Sequence, residues 1–109
     1  YDSLVALLDP VAPTVAAAIT ARESEVAHYQ LNIDNYTAVL AKMAADGVPA
    51  EWPAELERHR ATPPDDLSDD VFEAVSALQF RDRVRKLLRS ERAEQAKAAA
   101  VLVALKVRG

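Results

Sequence analysis

Apolar side chains recur at alternating spacings of four and three residues from Val15 to Met43, and this repeat constrains the fold more than any other feature of the sequence. A repeat of about 3.5 residues is typical of a long helix that packs along its whole length against another helix. We predict this helix over residues 13–46, because Pro13 suits a first helical position and Gly47 suits the residue after the last turn. The members of the series are Val15, Ile19, Arg22, Val26, Tyr29, Ile33, Tyr36, Leu40 and Met43, of which only Arg22 is polar.

A second long helix is predicted over residues 68–108, where neither proline nor glycine interrupts the sequence. Ser68 can cap its start, and Asp69 and Asp70 suit the positive end of the helix dipole. Its apolar stripe is interrupted by the polar segment 89–97.

The remaining segments are predicted to be short and to complete a single domain over residues 1–109. Residues 3–9 lie between capping side chains and a proline, which indicates a short helix. The connection, residues 47–67, has four prolines and is predicted to contain another short helix, with Trp52 and Leu56 tucked onto the ends of the long helices. The chain has only two glycines, which argues against an all-β fold. We therefore predict an all-α fold, a long antiparallel helical hairpin with coiled-coil-like packing.

The composition excludes several kinds of site. Because the chain has no cysteine, disulfides and thiolate metal sites are excluded. No apolar run approaches the roughly 20 residues of a membrane span, so we expect no membrane association and a cytoplasmic location. Neither a glycine-rich phosphate loop nor a recognisable arrangement of nucleophile and histidine occurs, so we expect neither catalysis nor a cofactor.

The polar interruptions of the two long helices predict how the helices align. If the first helix ends beside Ser68, Arg22 falls opposite Arg92 of the second helix. Glu91 and Glu94 flank that point. We predict that Arg22 pairs with Glu91 or Glu94, and that this partly buried ion pair sets the register more than it adds stability.

Apolar residues outside the main stripes indicate a second packing surface. A lone pair of helices buries a single seam, and these residues lie away from it. A two-fold dimer with a four-helix arrangement would cover them, so we predict a homodimer. The residues are Leu31, Val39, Phe72, Phe80, Leu87, Val101 and Val103.

Charge is divided unevenly along the chain. Residues 1–79 carry fourteen acidic and four basic side chains, a net charge of −10, whereas residues 80–109 carry three acidic and nine basic ones, a net charge of +6. A basic stripe on one face of the second helix is favoured to pair with acids of its own chain or of a second copy. The alternative is that it contacts nucleic-acid phosphates or an acidic partner. The stripe consists of Arg81, Arg85, Arg89 and Arg92.

Glu25 and His28 are the one pair of residues whose spacing resembles that of metal ligands on a helix. An E-x-x-H pair lies on one helical face, and di-iron four-helix proteins use two such pairs with further glutamates. A dimer would supply two pairs, with Glu91 or Glu94 as a further ligand. Because Glu25 and His28 flank the seam, a solvated helix face is favoured and metal binding is a remote alternative.

In outline the chain resembles the small secreted helical hairpins that have a Trp-x-Gly turn, which are about this long and form dimers. Here the turn has Trp52-Pro53-Ala54 and the connection is longer, so the sequence does not place the chain in that family. The functional prediction is a non-enzymatic module that self-associates and binds another protein. The alternative is a small nucleic-acid-associated protein.

Overall fold

The computed structural model describes residues 11–108, and all regular structure within that range is helical. Helix α1 spans Val11–Ala45, α2 is a single turn at Ala54–Glu57, and α3 spans Asp69–Arg108. A 3₁₀ turn at Pro64–Asp66 comes just before α3. For the described residues, the all-α prediction is confirmed.

The ends of the long helices follow from their local sequence. Gly47 has a φ of +97°, and its amide bonds to the carbonyl of Ala44 while the Val48 amide bonds to that of Met43. This Schellman closure needs a left-handed residue, which glycine supplies without a Cβ penalty. The first turn of α3 carries two aspartates, as the helix dipole favours. The short helix predicted over residues 3–9 lies outside the described residues.

The chain packs as two compact units, each built from segments of both long helices. The terminal unit combines the described residues up to Ile33 with those from Ser90 onward. The connection unit comprises Asp34–Arg89 and therefore contains the whole connection between the long helices.

In the terminal unit, α1 and α3 run antiparallel and exchange hydrogen bonds across their seam. Gln95 donates through Nε2 to the carbonyl oxygen of Val26 at 3.2 Å and to Oε1 of Gln30 at 2.9 Å. One turn earlier on α3, Glu91 accepts a hydrogen bond from Asn32 at 3.2 Å. Two residues of the polar segment that interrupts the apolar stripe of α3, Glu91 and Gln95, therefore bond to α1.

The core of the connection unit is formed mainly by α3. Leu78 is 1% exposed, and Val75, Val84 and Leu88 are also buried. From α1, the heptad positions in this unit are half-buried. They are Tyr36, Leu40 and Met43.

The alignment of α1 with α3 differs from the prediction by about nine residues, roughly two and a half helical turns. In the connection unit, Met43 lines a pocket with Arg81 and Arg85, whereas the prediction put the end of α1 beside Ser68. In the terminal unit, Glu91 bonds to Asn32 and Gln95 bonds to Val26, which places Arg22 level with Val101 and not with Arg92. The connection is bonded to α3 at Gln79, Asp82 and Arg85, so the end of α1 lies at that level of α3.

The predicted ion pair between Arg22 and Glu91 or Glu94 is wrong. Arg22 bonds instead to Glu25, one turn along α1, with 2.6 Å between Nη1 and Oε2. Glu91 bonds to Asn32 of α1, and Glu94 pairs within α3. An exposed pair such as that of Arg22 contributes only about 0–1 kcal/mol, so the register does not depend on it.

We expect Leu78→Ala to lower the free energy of unfolding by about 2–5 kcal/mol, because it removes buried methyl groups and leaves a cavity. Leu31→Ala is the matched control, since the same change is made where the leucine is 57% exposed. It should cost about 0.5 kcal/mol or less. Equilibrium unfolding in urea measures both, and equal losses would contradict this assignment of the core.

Candidate functional site

Arg81, the first member of the predicted basic stripe, points into the connection unit and is only 4% exposed. Its Nη1 donates to the carbonyl oxygen of Pro49, and its Nη2 donates to Oδ1 of Asp82 at 3.0 Å. Its Nε is buried and has no hydrogen-bond partner among the described residues. Arg81 is therefore engaged within its own chain, where it joins α3 to the connection.

The other three arginines of the stripe are more accessible than Arg81. Arg85 is half-buried, and its Nη2 donates to the carbonyl oxygen of Ala50 at 3.1 Å. Arg89 and Arg92 are exposed. Two of the four arginines thus bind the connection, although their partners are mostly backbone carbonyls and not the acidic side chains that the sequence suggested. Contact with nucleic acid stays a prediction.

Asp82 lies at the centre of a polar cluster that fastens the connection to α3. Its Oδ2 accepts a hydrogen bond from Trp52 Nε1 at 2.8 Å and another from Arg60 Nη2 at 3.2 Å. The Arg60 guanidinium also stands over the Trp52 ring, 4.7 Å from its centroid, in a cation–π contact. We call Trp52, Arg60, Arg81 and Asp82 the Asp82 cluster.

The surroundings of Asp82 shift its protonation. Burial alone raises the pKa of its carboxyl group, because burial disfavours the charged form. Hydrogen bonds from Trp52, Arg81 and Arg60 to the charged form outweigh burial and hold the pKa of Asp82 below its ordinary value. The cluster is therefore an ionised, structural one at neutral pH.

Sequence reasoning did not find the Asp82 cluster. It placed Trp52 against the long helices but gave no role to Arg60 or Asp82. One available signal was the indole N–H of Trp52, which needs a hydrogen-bond partner once the ring is packed. A second was Asp82 itself, one of two acidic residues, with Glu91, in the strongly basic run of residues 81–92.

The metal-binding alternative has no structural support in the described part of the chain. There, no group of three or more histidine, aspartate or glutamate side chains is arranged to hold a metal ion. Glu25 is paired with Arg22, and the ring of His28 lies tilted against that of Tyr29 with 6.2 Å between centroids.

A cleft of about 350 Å³ opens in the connection unit, between the end of α1, the connection and the start of α3. Its floor is apolar and includes Val48, Leu56 and Leu78. Three carboxylates line it as well, and all three belong to exposed residues. They are Asp46, Asp70 and Glu73.

The connection unit also presents large apolar side chains to solvent. Phe80 and Leu87 are each 46% exposed and lie seven residues apart on α3, so they share one face of the helix. From α1, Val39 is 37% exposed, and the alignment of the helices places it level with Val84, between Phe80 and Leu87. We call Val39, Phe80 and Leu87 the outer apolar face.

Comparison of the chain with protein-family models, with curated proteins and with solved structures finds no match. Among the described residues, no helix is both long enough and apolar enough to cross a membrane.

We expect Arg81→Lys to lower the free energy of unfolding by about 1–3 kcal/mol, because a lysine cannot hold the Pro49 carbonyl and Asp82 in the fixed geometry of a guanidinium group. Arg89→Lys is the matched control, because Arg89 is an exposed arginine of the same stripe. It should change the free energy by no more than about 0.5 kcal/mol. Chemical denaturation checks both, and indistinguishable variants would show that the Arg81 contacts add nothing.

We expect the stabilisation due to Asp82 to disappear in acid. Because folding lowers the pKa of Asp82, its contribution is present above the ordinary aspartate pKa of about 4 and is lost as pH falls through the lower value in the folded chain. Asp82→Asn should therefore be less stable than the parent chain at neutral pH, and the gap should narrow below about pH 4. Urea unfolding over a pH series measures this, and a gap that stays constant down to the most acid point would contradict it.

Proposed function

We propose that this chain is a non-enzymatic protein-interaction module and that it self-associates through the outer apolar face. The proposal joins two functional elements, a surface for a second copy and a surface for a different protein. Both surfaces belong to the connection unit.

The observation that carries the proposal is the exposure of Phe80 and Leu87. Aromatic and leucine side chains dominate the energetics of helix contacts, and burying them releases about 25 cal/mol per Å² of apolar surface. Phe80 and Leu87 lie two turns apart on one face of α3, and the guanidinium of Arg83 stands over the Phe80 ring, 5.9 Å from its centroid. Large exposed apolar side chains that share a face mark interaction sites on soluble proteins.

A second copy is the partner that best fits this face. A two-fold axis brings the same patch of two chains together, so each Phe80 and Leu87 meets an equivalent apolar surface. Two segments from each chain then make a four-helix arrangement, the common way for such pairs to complete a core. The heptad spacing of Phe80 and Leu87 is the spacing that such packing uses.

The polar groups of the connection unit support a binding role rather than a catalytic one. The Asp82 cluster places two guanidinium groups and an indole N–H on a single carboxylate, an arrangement that keeps the carboxylate ionised and leaves it poorly suited to take up a proton near neutral pH. Its contacts all serve to hold the connection in place.

We expect Phe80→Glu combined with Leu87→Glu to weaken self-association at least about tenfold, because charge on a buried face must be desolvated without a partner. Glutamate is a good helix former, so the helix itself should persist. Sedimentation equilibrium from low to high micromolar concentration measures the association, and circular dichroism checks the fold.

Val103→Glu serves as the control for added charge, because Val103 is 61% exposed but belongs to the terminal unit and is not part of the outer apolar face. It should self-associate like the parent chain. A parent chain that stays monomeric throughout the concentration range would refute self-association. If the Phe80/Leu87 variant dimerised as strongly as its parent, the outer apolar face would not be the dimer interface.

A further inference from the structure

We infer that the acid-lined cleft of the connection unit binds a basic, amphipathic segment of a different protein, one that carries lysine or arginine beside an apolar residue. This inference rests on the proposed function, because it names the chemistry of the protein partner that the proposed function requires. It does not depend on self-association, because it uses a different set of residues from the outer apolar face.

The shape of the cleft fits side chains. Its volume of about 350 Å³ lies at the low end of the range in which proteins hold small ligands, roughly 300–1,000 Å³. The floor contains Leu78, which is almost fully buried, and the half-buried Val48 and Leu56. An open apolar floor of this size takes a few aliphatic groups and gains free energy by removing them from water.

The acidic lining selects the charge of the partner. The carboxylates of Asp70 and Glu73 have neither a hydrogen bond nor an ion pair with any described residue. The carboxylate of Asp46 pairs with the Lys42 ammonium group at 3.2 Å on the exposed surface. The helix dipole accounts for Asp70 in the first turn of α3, but the effect of the dipole falls off beyond that turn and does not account for Glu73. An unneutralised carboxylate beside an apolar floor suits a cation carried on an aliphatic stem.

The surrounding charge acts in the same direction. Residues 46–73, which supply most of the cleft lining, contain nine acidic side chains and two basic ones, a net charge of −7, so this stretch of the chain attracts cations. Of the two basic side chains, Arg60 is already engaged with Glu57 and Asp82. Lysine and arginine side chains match this site because their stems pack on apolar surface while their charged ends stay at the rim.

The test measures binding of fluorescent peptides to the full chain by anisotropy at low ionic strength. One peptide is a short amphipathic helix of leucine and lysine, and the second has glutamate in place of every lysine. We expect the lysine peptide to bind and the glutamate peptide not to bind. Binding of both would show that the cleft recognises apolar surface alone and would overturn the inference.

Substitutions then locate the site. Asp46→Asn, Asp70→Asn and Glu73→Gln together should weaken binding of the lysine peptide at least about tenfold. The matched control combines Glu51→Gln, Asp65→Asn and Asp66→Asn, which removes the same number of charges from residues outside the cleft lining. An equal loss in both triple variants would mean that the net charge, and not the cleft, attracts the peptide.

Two further measurements separate the possible outcomes. In the first, free spermine competes with the fluorescent lysine peptide, and unlabelled lysine peptide at the same concentration of positive charge is the reference. If spermine displaces the fluorescent peptide as well as the unlabelled peptide does, the cleft binds small polyamines and the inference is overturned. The Phe80→Glu, Leu87→Glu variant should bind the lysine peptide like its parent. If this variant binds the lysine peptide but does not self-associate, the cleft and the outer apolar face act independently. A negative result for self-association then does not count against peptide binding in the cleft.

Discussion

The buried guanidinium of Arg81 is the contact on which the connection unit depends. The connection contains little regular structure, so its backbone carbonyls cannot be satisfied within a helix or a sheet. Side chains of α3 supply the missing donors: Arg81 bonds to the carbonyl of Pro49, Arg85 to that of Ala50, and Gln79 to that of Arg60. About two turns of one helix, residues 79–85, therefore supply hydrogen-bond donors to the backbone of the connection.

This arrangement explains where α1 and α3 meet. Because the connection is held along α3 from Gln79 to Arg85, its start at Gly47 is brought to the same level of α3. Met43, near the end of α1, therefore lines a pocket with Arg81 and Arg85 of α3. A connection that merely joined the ends of two helices would have aligned them as the sequence predicts.

The terminal unit keeps its alignment by other means. Ile33 of α1 and Ala98 of α3 are buried in this unit, and Leu102 and Leu105 are half-buried. The hydrogen bonds of Glu91 and Gln95 to α1 add specificity here, because a shifted alignment would leave these half-buried polar groups without partners. An apolar seam packs similarly at several offsets, and the polar bonds select one register among them.

The sequence predicts the long helices well and their contacts poorly, for physical reasons. The heptad series of α1 and the end signals at Gly47 and Ser68 are local, so they can be recognised without tertiary information. The register of the two long helices cannot be recognised in this way, because an apolar repeat packs similarly at many offsets. Contacts of the connection with α3 determine which offset forms. Arg81 shows the same limit. The spacing of the arginines predicts which face of α3 it lies on, but its burial depends on the connection that covers it.

The use of Arg81, Arg85 and Arg60 inside the connection unit has a consequence for its surface. Their donors go to the backbone carbonyls of Pro49 and Ala50 and to the carboxylates of Asp82 and Glu57. Of the acids that line the cleft, Asp46 pairs with Lys42, whereas the side chains of Asp70 and Glu73 have no ion pair with any described residue. Structural demands on the arginines thus produce a negative surface at the cleft, and that surface is screened by salt, whereas the outer apolar face is not. The two surfaces of the connection unit follow from different forces, so the proposed contacts with a second copy and with a different protein should respond differently to salt.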